Sequence, residues 1–394
     1  MARPALVAGV ALLGVSLIGC TTNSSGGRLT STGRSATTAA PSATTSSAQE
    51  SPSSTAGSVG VTAAKLVDAN FGLVATYEAG QSALWSTSDW LHWRNITPPG
   101  LGGQVVEDVT DAAGVIWALG SACPAGSSRA TVWRSGDAGG SWTSATLTGG
   151  VCAVLTVDTM DFVDAEHGWV AEMEGTGPVG YLYASDDGGR TWSERGGRLP
   201  ELGAVGFYTR EDGYLGGSGR SDVADPTAYV THDGGASWAP VDLQLPSLPS
   251  WQALEGLAAF TGRNHGVLPV TFAKANTELL AWYVTDDGGR HWNLSAPARP
   301  VGIAEGTPGA YRVADTSVAG PDTWWVLARA GEEWQVSITT DAGRTWTVHS
   351  STPAWPAAGG LMAVNGTTAW WRAGNGALLG TTDGGSFGNA LNPH

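Results

Sequence analysis

Acidic side chains that could cleave a carbohydrate are spread along the chain rather than gathered in one motif. Hydrolysis of a glycosidic bond needs two carboxyl groups across a cleft, one as the acid and the other as base or nucleophile. Spacing in the sequence does not fix the separation of such a pair, so catalysis stays an open hypothesis. The carboxylates predicted on one face of the molecule are Glu78, Glu172, Glu174, Asp222, Asp225 and Glu332.

Four arginines are candidates for holding an anionic group. A guanidinium group binds a carboxylate or a sulfate through two parallel hydrogen bonds. The alternative for each arginine is a solvated charge on a surface loop. These arginines, each in a predicted loop of a different repeat, are Arg129, Arg220, Arg329 and Arg372.

Two of the 19 tryptophans stand apart from the rest. Trp251 and Trp355 fall in proline-rich connections, whereas most others end a repeated motif or lie in predicted strands. An exposed Trp offers a platform for a sugar ring or a contact for a protein partner. The alternative is that each ring folds back and packs over its own repeat.

The sequence carries no recognisable metal or cofactor site. Its seven histidines lack the spacing of zinc ligands. The Asp-Asp-Gly-Gly segments lack the further oxygen ligands and the distal Glu of a calcium-binding loop. We therefore expect neither a metal nor a cofactor.

The elements that must position these groups are set by one short motif that recurs seven times. The five intact copies read Ser/Thr-x-Asp-x-Gly-x-x-Trp, and two worn copies flank them. Neighbouring copies are 42 to 54 residues apart. This period, with strand-like content, predicts an all-β fold: a seven-bladed β-propeller of four-stranded antiparallel blades. The motif aspartates are Asp89, Asp137, Asp187, Asp233, Asp287, Asp341 and Asp383.

We expect the motif to be structural. Short Asp, Ser and Thr side chains accept hydrogen bonds from backbone N–H groups that follow them, and so close a turn. The pattern places the motif between the third and fourth strands of each blade. All motif turns then share one face, called here the motif face, with the turns between first and second strands. The opposite face carries longer, more varied loops, and we expect recognition there.

The first strand of each blade is expected to line the central channel of the propeller. Strand alternation turns only about half of its side chains inward. We expect polar groups at the end of the channel on the opposite face. They are Lys65, Glu107, Asp158, Glu255 and Arg312.

The motif resembles the Asp-box, or BNR repeat, from about residue 60 to the end of the chain. Proteins with this repeat include sialidases, some endoglucanases, sortilin-type receptors and a lumenal assembly factor of photosystem II. The resemblance implies a propeller but no single activity. Sialidases of this class have six blades and an Arg-Ile-Pro type motif near the start, which this chain lacks. The chain is therefore more similar to the sortilin and assembly-factor types.

The N-terminal segment resembles a bacterial lipoprotein signal. An apolar stretch at 5–17, too short for an ordinary transmembrane helix, leads into Leu-Ile-Gly-Cys20. The resemblance implies cleavage before Cys20 and acyl chains such as palmitate on that residue; a plain secretory signal is the alternative. We predict a signal peptide at 1–19, a lipidated Cys20 with a disordered Ser/Thr/Ala-rich tether at 20–57, and the propeller at 58–394.

Two cysteines remain in the predicted propeller. Cys123 and Cys152 fall in connections predicted on the opposite face of neighbouring repeats. In an exported chain such a pair predicts a disulfide. Two free thiols are the alternative.

Composition narrows the class of partner. The formal charge is −15, from 35 acidic and 20 basic residues, with no basic cluster. This argues against nucleic acid and against anionic lipid surfaces as partners.

We expect a monomer on the extracytoplasmic face of the cell membrane, touching the membrane only through its N-terminal lipid. Its expected function is non-catalytic binding or scaffolding of an envelope protein or a cell-wall glycan through the opposite face. The alternative is a carbohydrate-active enzyme, either a glycoside hydrolase or a sialidase-like protein.

Overall fold

A computed structural model describes the propeller region of the chain. It covers residues 60–393 except for 123–128, 148–158, 175–178, 201–202, 217–227, 242, 247, 249–251, 257, 276, 300, 302–310, 332, 352–359, 374–375, 386–388 and 392. No helix among the described residues is long and apolar enough to cross a membrane. The predicted signal peptide, Cys20, the tether and the predicted Cys123–Cys152 disulfide lie outside the described residues.

The described elements are β-strands that pair with their neighbours in chain order. Five sheets have four strands each, arranged from the channel outward. Sheet 1 is β1 (Gly60–Leu66), β2 (Gly72–Glu78), β3 (Gln81–Thr87) and β4 (Trp93–Asn95). Sheet 2 is β5 (Val105–Ala112), β6 (Val115–Ala122), β7 (Arg129–Ser135) and β8 (Thr143–Thr146). Sheet 3 is β9 (Thr159–Phe162), β10 (Gly168–Glu174), β11 (Val179–Ser185) and β12 (Ser193–Arg198). Sheet 4 is β13 (Ala204–Phe207), β14 (Gly213–Gly216), β15 (Tyr229–Thr231) and β16 (Ala239–Pro240).

The remaining strands form one large sheet and one small sheet. The nine-stranded sheet comprises β17 (Gln252–Glu255), β18 (Ala259–Phe260), β19 (Gly266–Lys274), β20 (Thr277–Thr285), β21 (Asn293–Arg299), β22 (Tyr311–Val318), β23 (Trp324–Ala330), β24 (Glu333–Thr339) and β25 (Thr347–Ser351). The C-terminal sheet is β26 (Leu361–Ala363), β27 (Ala369–Arg372), β28 (Leu378–Thr381) and β29 (Asn389–Leu391).

The all-β propeller is confirmed, but the prediction of seven separate four-stranded blades is wrong. The structure has five four-stranded blades, and the chain between β17 and β25 forms a single sheet. The two halves of that sheet are joined where Thr277 of β20 pairs in parallel with Tyr311 of β22. The motifs of Asp287 and Asp341 both belong to this one sheet. Counting motifs therefore overestimates the number of separate sheets.

Stacked aromatic side chains connect sheets 2, 3 and 4 and the nine-stranded sheet. Trp117 of sheet 2 stacks on Phe162 of sheet 3, with ring centroids 3.8 Å apart. The indole Nε1 of Trp117 donates to the carbonyl of Gly188, in the motif turn of sheet 3, at 2.9 Å. A buried stack of this kind contributes about 0.5–1.5 kcal/mol beyond the area it buries. The same arrangement recurs twice. Trp169 stacks on Phe207 and donates to the carbonyl of Gly234. Tyr208 stacks on Phe260 and donates from its hydroxyl to the carbonyl of Gly288.

The last sheet closes the ring by packing against the first. The amide of Val61 donates to the carbonyl of Gly376 at 3.1 Å. Val61 and Val74 share a buried cluster with Trp370 of the C-terminal sheet. Gly72 must be a glycine, because a Cβ there would lie 2.0 Å from the ring of Trp370. The first strands of all sheets consequently surround one central channel.

Candidate binding site in the central channel

The motif turns are closed by their own side chains. In sheet 3 the carboxylate of Asp187 accepts hydrogen bonds from the hydroxyl of Ser185 at 2.8 Å and from the hydroxyl of Thr191 at 2.7 Å. The backbone amides of Arg190 and Thr191 donate to the same carboxylate at 2.9 Å. The amide of Gly189 donates to the Ser185 hydroxyl. The turn therefore needs no ligand to satisfy its polar groups.

Hydrogen bonds keep the motif aspartates ionised. The hydroxyl and the amide of Ser141, followed by the hydroxyl of Ser135, lower the pKa of Asp137 to about 2. At Asp187 burial opposes the shift, but the same kinds of donor still lower its pKa to about 2. A carboxylate with all its donors in one turn is a folding device and not a general acid near neutral pH. The hydrogen-bond donors of Asp137 and Asp187 thus lie within their own motif turns.

A second set of aspartates links the strands that line the channel. Asp108 of β5 accepts the amide of Met160 in β9 at 2.9 Å. Asp161 of β9 accepts the amide of Phe207 in β13 at 2.6 Å. Each bond spans the gap between two sheets, so these carboxylates hold the walls of the channel together. On the far side of the ring Asp315 of β22 accepts the amides of Gly360 and Leu361 in the same way.

A cavity of about 630 Å³ occupies the channel beside Asp108 and Asp161. The first strands of sheets 1 to 4 and the start of the nine-stranded sheet line it. It extends to the turns that follow β9, β13 and β18, which belong to the motif face. Its polar lining includes Lys65, Asp108, Asp161, Tyr208 and Arg263. Lys65, expected at the other end of the channel, sits near the motif-face end because β1 runs toward that face and Lys65 pairs with Leu73.

Burial and nearby charges set the protonation of the two channel carboxyls. Burial raises the pKa of Asp108 to about 6, against the opposing effects of the Met160 amide and the positive charge of Lys65. Burial also raises the pKa of Asp161, opposed by the Phe207 amide and again by Lys65. The cavity therefore presents an ammonium group beside two carboxyls that can both accept hydrogen bonds. Such a surface suits a ligand with many hydroxyl groups.

Another carboxyl pair lies toward the opposite face, between sheets 2 and 3. Glu172 of β10 is only 6% exposed, and its Oε2 has no hydrogen-bond partner among the residues that the structure describes. Burial, and then the negative charge of Glu107 in β5, raise the pKa of Glu172 to about 7. The hydroxyl of Ser121 donates to Glu107. A neutral carboxyl beside a carboxylate is an arrangement that acid–base catalysis uses.

Of the six binding residues predicted from sequence, the structure describes the side chains of two, Arg329 and Arg372, which lie in different sheets. Arg372 reaches from β27 to donate to the carbonyl of Thr62 in sheet 1, so it takes part in closing the ring. Burial lowers the pKa of Arg372, while the charge of Asp315 acts in the other direction. Arg329 lies on β23 with its side chain exposed. Arg129 begins β7, and its side chain is not described; Trp251, Trp355 and Arg220 lie outside the described residues.

Sequence reasoning missed the aspartates of the channel wall. Each sits in the first strand of a sheet or of a half-sheet, and Asp161 lies there between the buried side chains of Met160 and Phe162. An acidic residue between two large apolar residues of a strand is a signal that the sequence did contain for Asp161. Its partner, however, lies in the next repeat. No group of three or more potential metal ligands occurs among the described residues.

Comparison with known proteins gives the fold. No family model and no curated protein matches the chain. Its structure is similar to a GH74 enzyme from Niastella koreensis, with a TM-score of 0.55 and 15% identity over 82% of this chain and 52% of that one, so the chain spans about half of that enzyme. It is also similar to YCF48 from Cyanidioschyzon merolae (TM-score 0.50, 11% identity, 83% of this chain and 94% of that one). A third neighbour is a PL25 ulvan lyase bound to -[GlcA(1-4)Rha3S]- (TM-score 0.51, 9% identity, 82% and 91%). These neighbours are β-propellers, and at such low identity the likeness establishes the fold alone.

Proposed function

We propose that this chain is an exported, lipid-anchored propeller that binds a cell-wall glycan, without cleaving it, in the channel cavity on the motif face. The observation that carries this proposal is the cavity of about 630 Å³ lined by Lys65, Asp108, Asp161, Tyr208 and Arg263. That volume lies within the range of about 300–1,000 Å³ typical of sites for small ligands. One end of a glycan chain fits such a site.

The shape of the site favours a glycan over an envelope protein. A stable protein interface buries about 800 Å² on each partner, which a channel mouth supplies poorly. Carboxylates, hydroxyls and two cationic side chains that converge on one cavity instead match the hydroxyl groups of a sugar. Enzymes acting on polysaccharides are among the structural neighbours, which is compatible with a carbohydrate ligand. The proposal moves recognition from the opposite face, where the sequence suggested it, to the motif face.

The motif turns support assignment to the Asp-box class. In each of the five intact copies the Ser or Thr hydroxyl donates to the motif Asp at 2.8 Å and accepts the amide of the motif Gly. This shared geometry is what the Ser/Thr-x-Asp-x-Gly pattern would impose. In the proposed arrangement Cys20 carries the lipid, residues 20–57 form the tether, and the propeller stays on the extracytoplasmic face.

Binding to the cavity can be tested with insoluble cell-wall glycan freed of protein. The full chain is mixed with this material, and the bound fraction is measured after sedimentation. We expect the double variant Lys65→Ala/Arg263→Ala to lose at least tenfold in apparent affinity. Arg210→Ala is the matched control, because Arg210 lies in a turn of the same face, pairs with Glu211 and is outside the cavity lining. Equal binding by all three proteins, or binding only to a co-purified envelope protein, would refute the proposal.

The Glu107–Glu172 pair favours a second candidate function, cleavage of a glycosidic bond. Glu172 would donate a proton to the leaving oxygen, and Glu107 would act as base or nucleophile. This is tested by measuring new reducing ends after incubation with plant and bacterial polysaccharides. Wild-type activity that Glu172→Gln abolishes, with the fold unchanged by circular dichroism, would support the enzyme. Absence of activity on every polysaccharide would leave binding as the function.

A further inference from the structure

Two arginines from neighbouring sheets converge on one motif turn. Arg134 lies on β7 of sheet 2, and Arg190 lies in the motif turn of sheet 3. A Cβ placed on Gly188 would be 3.0 Å from Nε of Arg134 and 3.5 Å from Nη1 of Arg190. Both nitrogen atoms lie close to this one point, so the distance between them is at most the sum of these two distances. Gly188 itself has a φ of +78°, which suits glycine.

Nothing within the described chain neutralises this pair of charges. Neither arginine forms an ion pair with a carboxylate of the described residues. Nε of Arg134 is buried and has no hydrogen-bond acceptor there, while Nη1 of Arg190 donates to the carbonyl of Asp187. Burial, followed by the charge of Arg190, lowers the pKa of Arg134. Asp186 and Glu166 are exposed on the same rim, yet neither pairs with these arginines.

Equivalent turns show that a single arginine is enough for the fold. At Gly288 of the nine-stranded sheet, Arg290 lies 3.5 Å from the Cβ position and donates to the Asp287 carbonyl, as Arg190 does to the Asp187 carbonyl. The place of Arg134 is taken there by the hydroxyl of Tyr208 at 3.6 Å. At Gly234 the only guanidinium nitrogen within 4 Å of the Cβ position is Nη2 of Arg195, at 3.8 Å, and the nearest atom is the carbonyl oxygen of Arg210 at 3.0 Å. Among the three atoms nearest to each of these Cβ positions in the described turns, two guanidinium groups occur only at Gly188.

We propose that the Arg134–Arg190 pair is an oxyanion site that holds a carboxylate, sulfate or phosphate group of the glycan. An oxyanion between the two guanidinium groups would accept hydrogen bonds from both and cancel their repulsion. Arg190 is exposed and Arg134 is half-buried, so the anion can enter from solvent and still be partly desolvated. The identity of the carrier rests on the proposed function, whereas the oxyanion site does not.

Inorganic sulfate is the first probe, measured by calorimetric titration of the full chain. Sodium chloride at matched ionic strength corrects for general screening. We expect saturable sulfate binding that Arg190→Ala weakens at least tenfold and that Arg190→Lys only partly restores, because lysine keeps the charge and loses the planar fork. Arg134→Ala should have the same effect; Arg190→Ala is the primary variant, since its exposed side chain can be removed without opening the core.

The matched control is Arg290→Ala, which removes the equivalent arginine from a turn without a second one. It should bind sulfate like the wild type. No saturable sulfate binding by the wild type, or equal weakening by Arg290→Ala, would overturn the site.

A second experiment distinguishes the oxyanion site itself from the molecule that carries the anionic group. A glycan with anionic groups, the same glycan with those groups removed, and polyglutamate are compared by sedimentation or titration. Preference for the anionic glycan that Arg190→Ala abolishes supports the full proposal. Sulfate binding without glycan binding would keep the oxyanion site and refute the proposed function. Preference for polyglutamate would refute the glycan as carrier.

Discussion

Aspartates at the rim of the propeller and aspartates in its channel have opposite electrostatics. At the rim, Asp187 receives all its hydrogen bonds from its own turn, and its pKa falls to about 2. In the channel, Asp108 bonds to the next sheet and is buried, and its pKa rises to about 6. The rim set closes turns and stays ionised. The channel set joins neighbouring sheets, and two of its members, Asp108 and Asp161, line a cavity where their protonation can respond to a ligand.

The largest loss of stability is expected from removing a channel aspartate that accepts hydrogen bonds from the next sheet. Asp315→Ala leaves the amides of Thr316, Gly360 and Leu361 without their acceptor. Buried donors left unpaired cost about 1–3 kcal/mol each, and relaxation recovers part of this, so we expect a loss of about 3 kcal/mol in the free energy of unfolding. Urea titration measures it. Asp322→Ala, an exposed residue in the turn after β22, is the control and should change stability by less than about 0.5 kcal/mol. Equal losses of stability in both variants would show that the hydrogen bonds of Asp315 to the next sheet do not stabilise the fold.

A smaller effect is expected at the rim. Asp187→Ala opens one motif turn, but water can reach the freed amides because Arg190 and Thr191 are exposed. We expect a loss of about 2 kcal/mol, with glycan binding unchanged once the protein is folded. The same urea titration and a sedimentation assay provide the two readouts. Lost binding at unchanged stability would contradict a structural role for the motif.

The last expected effect is a difference in the pH dependence of stability between the two sets of aspartates. The raised pKa of Asp108 means that ionisation costs stability in the folded state. This cost is absent below about pH 4 and complete above about pH 6. Asp187 has a lowered pKa, so its contribution is complete above about pH 4 and is lost as the pH falls through about 2.

Urea titrations between pH 3 and pH 7 would measure this contrast. Relative to the wild type, Asp108→Asn should gain stability as the pH rises from 4 to 6. Asp187→Asn should show no such gain over that interval, and its deficit should shrink as the pH falls from 4 toward 3. Parallel curves for the two variants would remove the distinction between rim and channel.

The same contrast explains what could be read from the sequence. The rim was predictable because Ser185, Asp187, Gly189 and Trp192 lie within one short segment, whose pattern repeats. The all-β propeller followed from the repeat. The number of blades did not, because the pairing of Thr277 with Tyr311 that merges two repeats depends on how a connection returns to its neighbour.

The candidate site was harder to predict, because its contacts are distant in the sequence. Asp161 and the Phe207 amide that it accepts are 46 residues apart. The convergence of Arg134 and Arg190 on Gly188 likewise joins two sheets. Charge and composition identify such residues as polar but do not pair them. Only the register of neighbouring sheets does so.

The central claim is that the channel cavity on the motif face receives a glycan. Hydrogen–deuterium exchange of the full chain, with and without solubilised cell-wall glycan, tests it most directly. The account predicts slower exchange in the turns at 163–167, 208–212 and 261–265, which border the cavity, and in the motif turn at 186–191. Slower exchange confined to loops of the opposite face, or no change at saturating glycan, would contradict it.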